Sequence, residues 1–246
     1  MSAPRKKGRV YGVGLGPGDP ELMSVKADRL LRAAKHVAFF RKAGRAGRAR
    51  KIVDGMLRPD AVEFAMEYPV TTEIPLSDPR YNEVLSGFYA EVTAHLCKLT
   101  AGGEDVVVLC EGDPFFYGSF MHLYERLKDR CEVQVVPAIT GMSAAWTATG
   151  TPITWGDDVL SVVMGTLDED TLRDAMARAD ALVVMKIGRN LTKVRRALQA
   201  AGKAERAVLV QYAAMEGQSV CALSDHGGET LPYFSIIVVH GQGRRP

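Results

Sequence analysis

The chain has 246 residues, of which 47% are hydrophobic and 24% charged, and its formal net charge is +2. This length suits one large or two modest domains, and the ordinary composition excludes disordered and fibrous classes. The small net charge argues against a general nucleic-acid binder, and no apolar run approaches the roughly 18–20 residues that cross a membrane. The basic N-terminus, Met1–Arg9, lacks the apolar core of a signal peptide, so we expect a cytoplasmic protein.

The first half of the chain alternates short β-branched runs with amphipathic segments, a pattern typical of a mostly parallel sheet with flanking helices. Ser24–Ala34 and Tyr81–Leu99 are predicted to be helices, because the first has a capping serine and the second ends at a Gly-Gly breaker. The predicted strands are Val10–Gly14, His36–Phe40, Val62–Met66, Val106–Cys110 and Val133–Val136.

After Pro137 the chain holds more strands than helices, which indicates a mixed sheet and a second domain. We therefore predict two α/β domains, residues 1–138 with a mostly parallel sheet and residues 139–246 with a mixed sheet. The predicted elements of the second domain are strands Val159–Met164, Ala181–Lys186, Ala207–Tyr212, Ser219–Ala222 and Tyr233–Val239, and helices near Asp168–Ala177 and Leu191–Ala201.

The first candidate site is the glycine-rich turn Gly12–Asp19, which follows a strand and precedes a helix. Such turns usually bind phosphate or a dinucleotide, but here Pro17 or Asp19 stands where GxGxxG requires a glycine, and the Walker A Gly-Lys-Ser/Thr is absent. Pro17 lacks an amide donor and fixes φ, so the turn is shaped rather than lined with donors. Asp19 either caps the next helix or presents a carboxylate to a ligand.

Two further candidate segments also begin where a predicted strand ends. Glu111–Gly118 follows the most apolar strand and presents backbone and three aromatic rings at the place where open α/β sheets bind ligands. Val136–Ala145 leads into a small-residue helix, in which Thr140 and Ser143 either bind a ligand or cap the helix. The alternative for Glu111–Gly118 is a simple turn with buried aromatic side chains.

One segment is strongly basic. Two interpretations are open: a solvated loop, or a flexible arm that meets a polyanionic ligand. The six basic residues are Arg41, Lys42, Arg45, Arg48, Arg50 and Lys51.

The four cysteines form no CxxC pair and have no zinc-like spacing with a histidine. We therefore expect reduced cysteines and no metal site. They are Cys97, Cys110, Cys131 and Cys221.

The three turn segments, in this order, resemble the tetrapyrrole methylase family of cobalamin biosynthesis. Members carry GxGxGD near the N-terminus, a Gly-Asp-Pro turn in mid-chain, and then a Pro-Gly-(Ile/Val)-(Ser/Thr) segment, in which Ala138 stands here in place of the glycine. The resemblance extends over Val10–Val239. Four segments look like the branch that methylates precorrin-2 at C-20: Glu111–Met121, Met185–Leu191, Ala213–Gly217 and Pro232–Ser235.

This resemblance implies that S-adenosylmethionine is the methyl donor, that the active site lies in the cleft between the two domains, and that the protein is a homodimer. It implies a tetrapyrrole as the acceptor. By position in the family motifs, the residues that bind the donor are Pro17, Glu111, Gly112, Asp113, Tyr117, Thr140, Gly141, Met185, Lys186, Ala213 and Met215.

Because a sulfonium methyl group is already activated, the protein must chiefly align the reactants and exclude water. A proton must later leave the methylated carbon, and Asp19, Glu111 and His122 are the candidate acid–base residues, although a histidine in an apolar helix is more often structural. The implied substrate is a polycarboxylate, so the basic segment is a candidate clamp through Arg41, Arg45, Arg48 and Arg50.

Three alternatives remain open from the sequence. The first is a related reaction, at another corrin carbon or on a cobalt-loaded ring, since a motif does not identify the acceptor carbon. The second is a dinucleotide-dependent oxidoreductase, which the glycine spacing disfavours. The third is a binding protein that has kept the fold without activity.

Overall fold

The computed structural model describes residues 7–70 and 78–244, and the chain divides into two compact units, Met1–Thr140 and Gly141–Pro246. Residues 1–6, part of the N-terminus in which the sequence predicts no signal peptide, lie outside the described residues. Among the described helices, none combines the length and the apolar character needed to cross a bilayer.

The first unit is built on a five-stranded sheet in the order β3-β2-β4-β1-β5. All of its strand pairings are parallel, so all five strands end at one edge of the sheet. The central strand β4 is buried at every residue, as expected for a strand covered on both faces. The strands are β1 Arg9–Gly14, β2 His36–Lys42, β3 Val62–Tyr68, β4 Val106–Cys110 and β5 Glu132–Val136.

Helices cover both faces of this sheet. Leu31 of α1 packs with Val107 on one face, and Leu96 of α3 packs with Val108 on the other, because successive strand side chains point to opposite faces. The helices of the first unit are α1 Val25–Ala33, α2 Arg48–Ile52, α3 Pro79–Ala101 and α4 Phe120–Leu127.

The caps explain where two of these helices begin. The hydroxyl oxygen of Ser24 accepts a hydrogen bond of 3.2 Å from the amide of Ala27 at the start of α1. Asp78 accepts a hydrogen bond of 2.9 Å from the amide of Arg80, and Pro79 occupies the first helical position, where a missing amide has no cost. Helix α3 therefore begins two residues before the predicted start.

The second unit contains a mixed five-stranded sheet in the order β6-β7-β10-β8-β9. Strand β10 is antiparallel to both β7 and β8, whereas β6 and β7 are parallel, so β6, β7 and β8 all end at the same edge. Helix α5 packs on one face, and α6 and α7 pack on the other. The elements are β6 Leu160–Met164, β7 Ala181–Met185, β8 Ala207–Gln211, β9 Ser219–Ala222, β10 Ser235–Val239, α5 Gly141–Ala148, α6 Glu169–Arg178 and α7 Leu191–Ala200.

The predicted fold class, two α/β domains with one mostly parallel and one mixed sheet, is confirmed, and all ten predicted strands are present. The division into residues 1–138 and 139–246 stays a prediction. The basic segment differs from both sequence interpretations, because it is not a loop throughout. It begins on β2 and ends in α2, which packs through Ala49 and Val53 against the core.

Candidate active site

The turns after β1 and β4 are joined by backbone hydrogen bonds. The amide of Leu15 donates to the carbonyl of Cys110 at 2.9 Å, and the amide of Gly112 donates to the carbonyl of Gly16 at 2.8 Å. Gly16 and Gly112 have φ values of +82° and +61°, a region that favours glycine. Since β1 leads to α1 on one face and β4 leads to α4 on the other, the two turns border the crevice where open α/β sheets bind ligands.

Asp113 connects the turn after β4 to the turn after β5. Its Oδ1 accepts a hydrogen bond of 2.9 Å from the amide of Phe115, and its Oδ2 accepts one of 3.0 Å from the amide of Ala138. Both carboxylate oxygens are thus engaged by backbone donors. Asp113 therefore links the turns after β4 and β5. Of the other predicted site residues of this unit, Pro17 is buried in the turn after β1, and Thr140 lies two residues after Ala138.

The first glycine of the N-terminal turn is required by packing. A Cβ atom added at Gly12 would lie 2.3 Å from the ring of Phe120, the first residue of α4. The glycine therefore lets a helix approach the sheet closely.

Glu111 is the polar side chain at this edge with an unsatisfied atom. Its Oε1 is buried and has no hydrogen-bond partner within the described part of the chain. Burial raises the pKa of the Glu111 carboxyl, and the positive charge of Arg48 opposes this shift. A buried acceptor without a donor costs free energy, so Glu111 is suited to receive a hydrogen bond or a proton from a ligand.

The other two candidate acid–base residues have structural contacts. The Oδ1 of Asp19 accepts a hydrogen bond of 2.8 Å from the amide of Glu21 and caps the short 3₁₀ helix Pro20–Leu22. The exposed His122 lies on α4 with its ring centroid 5.5 Å from that of Tyr89. Both contacts match the structural roles that the sequence left open for these residues.

The turn Phe115–Gly118 exposes two aromatic rings. Phe115 and Tyr117 are each 47% exposed, although large aromatic side chains usually contribute to cores. Tyr117 has a φ of +54°, a left-handed conformation that costs a residue with a side chain about 1–3 kcal/mol. Such strain is often found at functional sites, and the predicted role of Tyr117 in donor binding stays a prediction.

The second unit has a comparable edge where β7 and β8 end. Lys186, Tyr212 and Ala214 have φ values of +51°, +52° and +56°. The amide of Tyr212 donates to the carbonyl of Phe234 at 2.8 Å, and this bond fixes the turn after β8. These three non-glycine residues follow β7 and β8, the two strands that flank β10. Left-handed conformations of this kind are often found at functional sites.

The predicted donor-binding residues of this unit lie in or beside these turns. Met185 ends β7 and is followed by Lys186, while Ala213 and Met215 flank Ala214 after β8. Gly141 is the first residue of α5. Sequence reasoning missed Tyr212 and Ala214, since nothing in a tyrosine or an alanine signals a positive φ.

The arginines of the basic segment differ in their contacts. Arg41 forms an ion pair with Glu67, and Arg50 pairs with Glu63 at 2.6 Å and with Asp54 at 3.3 Å. Arg41 and Arg50 are thus paired with carboxylates of the protein itself.

The other two predicted arginines face different surroundings. The exposed Arg45 makes no side-chain ion pair or hydrogen bond with any described residue. Arg48 begins α2 and acts electrostatically on Glu111. The segment therefore offers positive charge beside the edge that holds Glu111.

The described residues include no group of three or more His, Cys, Asp or Glu side chains that could hold a metal ion. All four cysteines are free, and burial raises the pKa of the Cys110 thiol.

The two edges belong to different units, and the location of the active site in a cleft between domains stays a prediction.

The chain matches a family model of tetrapyrrole (corrin/porphyrin) methylases over residues 9–224. This match covers most of the chain and includes the three hydrogen-bonded turns that follow β1, β4 and β5. The chain therefore belongs to the tetrapyrrole methylase family, and it is a methyltransferase.

Similar proteins agree with this family. The chain is 49% identical to a precorrin-2 C(20)-methyltransferase from Sinorhizobium sp, over 97% of this chain and 98% of that protein. It is 27% identical to a cobalt-precorrin-2 C(20)-methyltransferase from Salmonella typhimurium, over 96% and 97% of the two chains. The fold is similar to that of uroporphyrin-III C-methyl transferase from Thermus thermophilus, solved with S-adenyl homocysteine, with a TM-score of 0.66, 24% identity and coverage of 95% and 92%.

Proposed function

We propose that this protein transfers a methyl group from S-adenosylmethionine to the C-20 meso carbon of precorrin-2, which gives precorrin-3A in cobalamin biosynthesis. The observation that carries the proposal is the 49% identity, over nearly the full length of both chains, with a precorrin-2 C(20)-methyltransferase. The alternative acceptor is cobalt-precorrin-2, whose methyltransferase from Salmonella typhimurium is 27% identical. The higher identity favours the metal-free acceptor.

The donor supplies an activated methyl group on a sulfonium sulphur. The described edges fit a nucleoside ligand of this kind, because Gly112 has open space where a Cβ would stand and the Oε1 of Glu111 lacks a partner. Lys186 and Ala214 hold strained backbone at the second edge. The residues proposed to bind the donor are Pro17, Glu111, Gly112, Asp113, Tyr117, Thr140, Gly141, Met185, Lys186, Ala213 and Met215.

Within this set the residues have different tasks. Asp113 shapes the first edge through its two backbone hydrogen bonds. Met185 and Ala213 contribute apolar surface, since both side chains pack with the cluster between the second sheet and α5. The apolar surface excludes water from the reaction, which strengthens the electrostatic interactions within the site.

Among Asp19, Glu111 and His122, we propose that Glu111 accepts the proton that leaves C-20. When the new carbon–carbon bond has formed, the C-20–H bond breaks, its electrons return to the conjugated ring, and the proton passes to the carboxylate. A carboxylate whose pKa is raised by burial is a stronger base, which suits this step. Asp19 is engaged as a cap and His122 packs on Tyr89.

The basic segment is proposed to bind the carboxylate arms of the tetrapyrrole. Arg45 and Arg48 are the residues proposed to contact the substrate directly, and guanidinium groups pair well with carboxylates. Arg41 and Arg50 hold the segment in position through their ion pairs with acidic side chains of β3. We further propose that the protein is a cytoplasmic homodimer with functional domains at residues 1–138 and 139–246.

The test is incubation of the protein with labelled methyl donor and precorrin-2, with the product analysed by mass spectrometry and NMR. One methyl group at C-20 is expected. A product methylated at another carbon, or no product with either the metal-free or the cobalt-loaded ring, would refute the proposal. In parallel, S-adenosylhomocysteine should raise the melting temperature and NAD should not.

A further inference from the structure

Ser119 occupies the N-terminal cap position of α4 but makes no capping hydrogen bond with that helix. Its Oγ instead accepts a hydrogen bond from the hydroxyl of Tyr68, the last residue of β3. Serine is a favoured cap because its side chain satisfies a free amide of the first helical turn. Here that benefit is replaced by a bond that ties the start of α4 to the edge strand of the sheet.

The Tyr68 hydroxyl is held in place by a cluster of aromatic rings. The ring of Tyr68 is stacked on Phe40 with centroids 5.4 Å apart, and Phe88 lies 5.2 Å from it. The hydroxyl oxygens of Tyr68 and Tyr89 are 3.5 Å apart. Because Tyr89 is itself buried, the cluster provides a rigid support on one side of Ser119.

Ser119 comes directly after the exposed aromatic turn Phe115–Gly118. The start of this turn is fixed by the bond from the amide of Phe115 to Asp113. Tyr117 adopts a strained left-handed conformation within it, and such a conformation persists only where the surroundings hold it. The bond between Tyr68 and Ser119 supplies this support at the end of the turn.

We propose that Tyr68 is a positioning residue that acts through Ser119 to hold the turn Phe115–Gly118 in the conformation that binds the methyl donor. The inference rests on the proposed function, in which Tyr117 belongs to the donor site. Tyr68 itself does not touch the ligand. It limits the conformations that the turn can adopt before binding, and preorganisation of this kind raises affinity.

The test compares Tyr68→Phe with the unaltered protein, since this change removes the hydroxyl and keeps the stacked ring. We expect the dissociation constant of S-adenosylhomocysteine, measured by calorimetry, to rise by about tenfold. Hydrogen exchange of the amides at positions 116–119 should become faster. The melting temperature should change little, because phenylalanine keeps the ring that stacks on Phe40.

Two further variants complete the design. Ser119→Ala removes the other partner of the same bond, so its effect on affinity should match that of Tyr68→Phe and should not add to it in the double variant. Tyr11→Phe is the matched control, because it removes a tyrosine hydroxyl from β1 of the same sheet. It should leave both the exchange at positions 116–119 and the affinity unchanged.

Unchanged exchange in the turn of Tyr68→Phe, or an unchanged dissociation constant, would overturn the proposal. So would a fall in melting temperature with faster exchange throughout the first unit, since Tyr68 would then be a general stabilising residue. If the unaltered protein does not bind S-adenosylhomocysteine at all, the proposed function fails. The exchange experiment, which needs no ligand, then decides the positioning role alone.

Discussion

Gly14 and Ala138 lie so close together that a Cβ atom added at Gly14 would be 2.6 Å from the Cβ of Ala138. The same atom would be 2.8 Å from the carbonyl oxygen of Gly112. Ala138 stands where the family usually has glycine, and its methyl group takes up space that the glycine at position 14 leaves open. The departure from the family pattern is thus accommodated by a neighbouring strand.

Replacing this glycine should destabilise the protein. Gly14→Ala is expected to lower the free energy of unfolding by about 1–3 kcal/mol, because the backbone of Gly112 and the short side chain of Ala138 can yield little. Urea denaturation measures the change. Gly87→Ala is the matched control, since Gly87 lies in α3 with open space around it, and this change should stabilise by about 0.5–1 kcal/mol. Equal effects of the two changes would contradict the packing argument.

The carboxylate of Asp113 should contribute to stability through its two amide partners. Asp113→Asn keeps one acceptor oxygen but turns an amide donor towards a backbone N–H, so we expect a loss of about 1–2 kcal/mol in the free energy of unfolding. Asp60→Asn serves as the control, because the exposed Asp60 forms a surface ion pair with the exposed Arg58, and little change in stability is expected. A similar loss in both variants would show that Asp113 is not the link between the turns.

The buried carboxyl of Glu111 predicts a pH-dependent cost. Because burial raises its pKa in the folded protein, the folded state binds this proton more tightly than the unfolded chain, and stability falls as the pH rises through that pKa. Glu111→Gln should therefore raise the free energy of unfolding at about pH 8 and have much less effect at about pH 4. Denaturation curves at the two pH values test this, and a pH-independent difference would be inconsistent with a buried titrating group.

The same residue should affect catalysis. If Glu111 takes the proton from C-20, Glu111→Gln should lower kcat by roughly 100-fold, within the range for a lost general base. Glu125→Gln, which removes a surface carboxylate paired with Lys128, should leave kcat near its original value. A kcat for Glu111→Gln within about twofold of the unaltered enzyme would remove Glu111 from the proton transfer.

The arginines of the basic segment should separate into two kinds. Arg45→Ala should raise the KM for the tetrapyrrole several-fold without changing the melting temperature, because the side chain is exposed and has no ion pair with a described residue. Arg50→Ala should lower the free energy of unfolding by roughly 0.5–1 kcal/mol, since it loses its contacts with Glu63 and Asp54. Steady-state kinetics and thermal unfolding of both variants test this difference. If the two variants changed KM and stability in the same way, Arg45 and Arg50 would not have separate roles.

The strands were predicted well, because a short run of β-branched and apolar residues such as Val106–Cys110 favours a buried strand. The turns could be predicted from glycine and proline, because the wide φ range of glycine and the fixed φ of proline follow from the residue type alone. Helix α2 was missed because a five-residue helix with two arginines and a lysine has the composition of a loop, and its core contacts come from Ala49 and Ile52. The bond between Asp113 and Ala138 depends on the tertiary fold and has no local sequence signal.

The backbone link between Gly16 and Gly112 has a consequence for how such enzymes diversify. Every residue except proline carries the same backbone N–H and C=O groups, so this hydrogen bond is kept when the outward side chains of the two turns are exchanged. Side chains on the outer surface of these two turns can therefore change while β1 and β4 stay joined in the same way.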